Sequence, residues 1–170
     1  MTKASNKLEL LILDACVLID FIKADTTVLA LIHKYVGTIH VIEPVLKEVL
    51  DIEDVNELTE SGIIIIEPEI EDAFTATKGS GSASFQDQLC LLTAKRNGFT
   101  CVTNDVCLRK LCESHGVPIL WGLELLKELH KLKGISTQDV LNIANLIHEN
   151  NPKHITPQIV QQFTAFIRAD

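Results

Sequence analysis

The chain has 170 residues, 46% of them apolar and 22% charged, with a formal net charge of −8. That length supports one compact domain with a substantial core, and the acidic balance argues against a surface whose main task is nonspecific electrostatic binding of nucleic acid. No apolar run approaches the length of a membrane span, and the opening MTKASNKLEL lacks the apolar stretch of a signal peptide, so a cytoplasmic chain without membrane contact is expected.

Taken in order, Leu8–Leu13 reads as a strand buried on both faces, because its apolar run does not alternate with polar residues. A short helix is expected over Val17–Lys23. Thr26 is expected to cap a second helix that runs through Tyr35 and ends at Gly37. His40–Ile42 is a second strand. Glu43-Pro44 opens a helix carrying Val45, Leu46, Val49 and Leu50 on its apolar side. A further helical piece, Val55–Glu60, stops at Ser61-Gly62, and the β-branched run Ile63–Ile66 forms strand three. Glu69–Thr77 reads as a helix, and Lys78–Ser84 (KGSGSAS) as a flexible linker. Ser84 caps the helix Phe85–Asn97, which Gly98 stops. Thr100–Val102 is strand four, Val106–Ser114 a helix, Pro118–Leu120 strand five and Leu123–Leu132 a helix. Beyond Gly134 come two more helices, Thr137–Glu149 behind Ser136-x-x-Asp139, and Pro157–Arg168 behind Thr156.

This alternation predicts an α/β chain: a three-layer α/β/α domain over residues 1–133 with a central, parallel, five-stranded sheet, and a two-helix C-terminal extension over 134–170 packed on the same domain. The five cysteines show no CxxC spacing, which favours free thiols over a zinc site.

On this map the acids converge. Asp14 ends strand one, Glu48 lies about a turn into the helix after strand two, and Asp105 follows strand four. Asp87 sits in the first turn of the helix that feeds strand four. Ligands of open α/β sheets bind at the carboxyl ends of strands. Carboxylates gathered there repel one another unless a hard divalent cation, Mg²⁺ or Mn²⁺, relieves them, and such cations serve phosphodiester hydrolysis. Each acid also has a plainer reading. Asp14 and Asp105 can cap helices, and Glu48 and Asp87 can simply favour a helix dipole. Thr103 and Asn104 can be turn residues.

Four blocks, LILDACVLID, EPVLKEV, SFQDQLCLLTAKRNG and CVTNDVCLRKLCESHGV, resemble in order and spacing the motifs of PIN-domain nucleases, over about Leu8–Leu120. The resemblance implies a PIN-like fold and Mg²⁺- or Mn²⁺-dependent ribonuclease activity. It implies a catalytic pocket of Asp14, Glu48, Asp87 and Asp105, with Asp14, Asp87 and Asp105 on the metal and Thr103 and Asn104 in support. Glu48 would orient or deprotonate the attacking water. One position departs from the pattern: Cys16 stands where the family often has Ser or Thr. Many relatives of this kind are VapC-type toxins held by an antitoxin, so an RNA substrate, a possible antitoxin partner and a homodimer are implied.

Lys95, Arg96, Arg109 and Lys110 are the basic candidates for RNA contacts, with a solvated helix face as the alternative. With 5% aromatic residues, base-specific stacking is not indicated. The extension reads as an added helical layer, or alternatively as an oligomer or antitoxin dock. A catalytically weak or inactive PIN-fold module that binds nucleic acid or protein is the competing function. A haloacid dehalogenase-type phosphatase would want a second Asp where Cys16 stands. A phosphoacceptor receiver domain would want a lysine after strand five, where Leu120-Trp121 offers none.

Overall fold

The structure, a computed structural model, describes residues 10–49, 55–79 and 81–170. The elements run β1 (Leu10–Leu13), α1 (Ala15–Ala24), α2 (Thr27–Tyr35), β2 (Thr38–Ile42), α3 (Glu43–Leu46), α4 (Val55–Glu60), β3 (Ile64–Ile66) and α5 (Ile70–Thr77). They continue with α6 (Phe85–Asn97), β4 (Thr100–Val102), α7 (Val106–Ser114), β5 (Ile119–Leu120), α8 (Gly122–Lys131), α9 (Thr137–Asn150) and α10 (Pro157–Ala169). The five strands form one all-parallel sheet in the order β3-β2-β1-β4-β5, flanked by helices. The chain builds outward from β1 in one direction, then returns to lay β4 on its other side. The reversal lies between β1 and β4, the position where open parallel sheets leave a crevice at their carboxyl edge.

β1 is central because its residues tolerate burial on both faces. Leu11, Ile12 and Leu13 have no exposed surface, and burying such a side chain contributes about 1.5–3 kcal/mol. The register sets Leu13 beside Val102, and the Asp14 N–H continues the ladder to the Val102 carbonyl at 3.1 Å. Asp14 and Thr103 therefore leave adjacent strands at the same level. The helix that feeds β4 is closed by Gly98, whose φ of +69° is the left-handed conformation that glycine adopts without a Cβ penalty.

Three local expectations change. The helix after β2 ends after one turn: the Glu48 and Val49 N–H groups reach back only three residues, to Val45 and Leu46, and these tight turns carry the chain onward. Thr26 does not cap α2 with its side chain; the Asp25 carboxylate does so, accepting from the Thr27 N–H at 2.9 Å and its hydroxyl at 2.6 Å. α8 begins at Gly122, where Glu124 turns back to accept from the Trp121 N–H at 2.8 Å. The predicted start of β1 at Leu8 and the apolar position Leu50 lie outside the described residues.

The extension packs as a helical layer. α9 lies on α1, and α10 on α9 and α8. Val140, Ile143, Ala144 and Ile147, with Val160, Phe163 and Ile167, join the same apolar core as the sheet. One polar knot fastens it. The buried Asp20 of α1 accepts from Asn151 Nδ2 and from Asn104 Nδ2, each at 3.1 Å, while Asn104 Oδ1 accepts from the Gly122 N–H at 3.0 Å. Burial pushes the Asp20 carboxyl above its ordinary pKa, and the two amide donors oppose that shift. Removing a donor from a buried carboxylate is costly. Asn151→Ala is expected to destabilise the fold by about 1–3 kcal/mol, read as a drop in the urea midpoint with an unchanged m-value.

Candidate active site

Asp14 is buried at the end of β1, and its carboxylate accepts hydrogen bonds from three neighbours. Oδ1 accepts from the Ala15 N–H at 2.7 Å. Oδ2 accepts from the Thr103 hydroxyl at 2.9 Å and from the Cys16 thiol at 3.1 Å. A carboxylate offers about four acceptor positions, so these bonds fix its orientation and still leave capacity on Oδ1. Burial raises its pKa, the three hydrogen bonds lower it, and the charge of Asp87 raises it again, with a net upward shift.

Cys16 fills the position where the family resemblance expects a hydroxyl. Burial, then the charge of Asp14, push its thiol far above the usual range, so it stays protonated and acts as a donor. Thr103 joins two acids: its hydroxyl donates to Asp14 and accepts from the Asp105 N–H at 3.0 Å. Asn104 faces away from that pair, toward Asp20 and Gly122.

Asp87 and Asp105 both cap helices. Asp87 exchanges hydrogen bonds with Ser84 in a capping box at the start of α6. Asp105 Oδ1 accepts from the Leu108 N–H at 2.7 Å at the start of α7. Capping occupies one oxygen of each and leaves the other unused by the cap. Glu48 stands exposed in the turn after α3. Partial desolvation, then the charges of Asp14 and Asp87, raise its pKa. Asp14, Glu48 and Asp87 thus lie within one another's fields, and Asp105 joins them through Thr103. None of the ion pairs among the described residues involves these four acids.

A divalent cation fits this donor set in one manner only. The donors are hard carboxylate oxygens bearing charge that no basic side chain offsets in those pairs. Yet among the described residues no group of three or more His, Cys, Asp or Glu side chains is gathered closely enough to hold a metal. The arrangement leaves room for a cation held by one or two carboxylates with water completing the shell, and does not suit a closed cage.

The basic residues divide. Arg96 forks onto Asp72 at 2.7 and 2.8 Å, tying α6 to α5. Arg109 lies 4.0 Å over the Trp121 ring and 3.7 Å from Glu113. Lys95 is exposed on α6, and Lys110 lines a pocket between α7 and the loop at Gly81–Ala83. Sequence reasoning missed Asp20, Asn151 and His154. The last two border a second pocket, of about 340 Å³, with Cys16 and Asp105. Only turn composition marks ENNPKHITP, and nothing local could relate Asn151 to a carboxylate 131 residues earlier. No helix among the described residues is long and apolar enough to cross a membrane. No family model, no curated protein and no solved structure matches the chain.

The raised pKa of Asp14 sets a pH dependence. Its folded value lies above its unfolded one, so the linked stability is fully present below the unfolded pKa, near 4, and is lost as pH rises through the folded value. Without added metal, the melting temperature of Asp14→Asn relative to wild type is expected to be more favourable at neutral pH than at pH about 4, read in thermal melts with EDTA across that range; a difference independent of pH would contradict the raised Asp14 pKa.

Proposed function

We propose that the chain is a metal-dependent nuclease with a PIN-like architecture, most simply a cytoplasmic ribonuclease of the toxin kind, with Asp14, Glu48, Asp87 and Asp105 around the reacting phosphodiester. One observation carries this reading. At the carboxyl edge of β1 and β4, where the strand order reverses, burial and then the charge of Asp87 raise the pKa of Asp14, burial and then the charges of Asp14 and Asp87 raise that of Glu48, and none of the ion pairs among the described residues involves these acids.

In this reading Asp14 with Asp87 or Asp105 would hold Mg²⁺ or Mn²⁺, which when bound would supply positive charge for phosphate oxygens and lower the pKa of a water. The chain's own groups do the rest. Ala15, Cys16 and Thr103 hold the Asp14 carboxylate in one orientation, which removes a reorganisation cost. Thr103 also fixes the backbone of Asp105 against Asp14. Glu48, raised above an ordinary glutamate, is the stronger base and takes the proton of the attacking water. Lys110 meets the phosphates of the substrate. The absence of a tight three-ligand group among the described residues favours one competing function, a PIN-like module that binds nucleic acid without turnover.

Cleavage of a mixed set of structured and single-stranded RNAs with added Mn²⁺, with an EDTA control, separates the two. Asp14→Asn and Asp105→Asn are expected to fall to background. Glu48→Gln should lose roughly a hundredfold in kcat, and wild-type activity should rise with pH through the raised Glu48 pKa. If Asp14→Asn cuts as well as the parent, the assignment fails. Mn²⁺-dependent RNA binding without cleavage would identify the binding module.

A further inference from the structure

The 340 Å³ pocket beside the acids has walls from opposite ends of the chain. Cys16, Asp105, Val106 and Cys107 come from the sheet edge and the start of α7, and Asn151 and His154 from the loop between α9 and α10. Its volume lies at the low end for ligand sites and suits one flat group. His154 supplies the only aromatic ring in the lining, which it shares with the apolar side chain of Val106 and the thiols of Cys16 and Cys107. Among the described residues the ring makes no hydrogen bond, while the loop around it is anchored: Asn151 holds Asp20, the Ile155 N–H meets the Asn151 carbonyl at 2.9 Å, and Ile155 is buried.

The pocket does not stand alone. Val106 and Cys107 also line the larger pocket, about 610 Å³, that Lys110, Gln88 and the Gly81–Ala83 loop enclose. Ser82 Oγ lies 3.1 Å from Cys107 Sγ at the junction. Sharing Val106 and Cys107, the two pockets meet at the start of α7 and together make a track, with Asp105 in the lining of the smaller and Lys110 in the lining of the larger. Single-stranded RNA is recognised by splaying out its bases and stacking them on aromatic faces, histidine included.

We infer that this track receives single-stranded RNA, and that His154 of the C-terminal extension stacks on the base of a nucleotide flanking the scissile phosphate, making the extension part of the substrate site. The inference rests on the nuclease reading and names its substrate class. His154 is a positioning residue: it touches the substrate through a base and not the reacting atoms. A duplex keeps its bases stacked and cannot offer one to the pocket.

The test uses the full chain and a short, fluorescein-labelled single-stranded RNA of mixed sequence, with affinity read by anisotropy in Ca²⁺ and cleavage read in Mn²⁺. His154→Ala is expected to weaken binding by about tenfold and to raise KM with kcat within about twofold. His154→Phe, which keeps a ring, should bind within about twofold of wild type. The duplex of the same sequence should bind at least about tenfold more weakly than the single strand. RNA carrying 4-thiouridine should crosslink to the peptide containing His154. Unchanged binding and KM in His154→Ala, equal affinity for the duplex, or crosslinks confined to other surfaces would overturn the inference and leave the nuclease intact. A wild-type protein that neither binds nor cuts any RNA would overturn both.

Discussion

A carboxylate buried at the end of a central strand has to be given donors, and the arrangement of this fold follows from how Asp14 gets them. One comes from the chain turning into α1, one from the thiol two residues on, and one from Thr103 on the neighbouring strand. The last requires β4 to lie beside β1 in the observed register, because a slip of one residue would reverse every side chain of β4. The same hydroxyl accepts from the Asp105 backbone, so the start of α7 is placed by the donor that satisfies β1. Burial and charge keep Asp14 above its ordinary pKa even so. That residual cost is what a cation or a proton relieves.

The second polar centre, Asp20, does for the extension what Asp14 does for the sheet. It draws one amide from the strand-four turn and one from the loop after α9. Apolar contacts alone would fix the angle of α9 on α1 less narrowly, since helix packing tolerates a range of angles. Two directional bonds to one buried acid remove that freedom. They also determine where the Asn151–Ile155 loop stands relative to the acid edge.

Much of this was legible in the chain. Element order, the parallel sheet and the ends of α4, α6, β4 and α7 follow from apolar runs, caps and glycines, all local signals. The pairing of Asp14 with Thr103 was half legible: both end strands, but only the strand order makes them neighbours. The helix-capping roles of Asp87 and Asp105 and their place at the edge are compatible, because one carboxylate oxygen suffices for a cap and the other is left over. What was not legible depends on long-range contact. Arg96 looked like a surface cation until α5 brought Asp72 to it. The one-turn length of α3 was hidden because Val45, Leu46 and Val49 fit a longer helix and a series of tight turns equally well. His154 and Asn151 carry no periodicity or motif that points to the sheet.

The distance along the chain between the bonded residues has a kinetic consequence. Thr103 lies 89 residues from Asp14, and Asn151 lies 131 from Asp20. Contacts of that separation form late, after the entropy of closing long loops has been overcome. β1 and β2 precede Thr103 and α7 by some sixty residues or more and can pair first, while the acid edge lacks both until that later segment is made. The α9–α10 loop follows later still. A chain that stops before Thr103 can therefore hold a partly formed sheet while lacking both the donor that satisfies Asp14 and the start of α7.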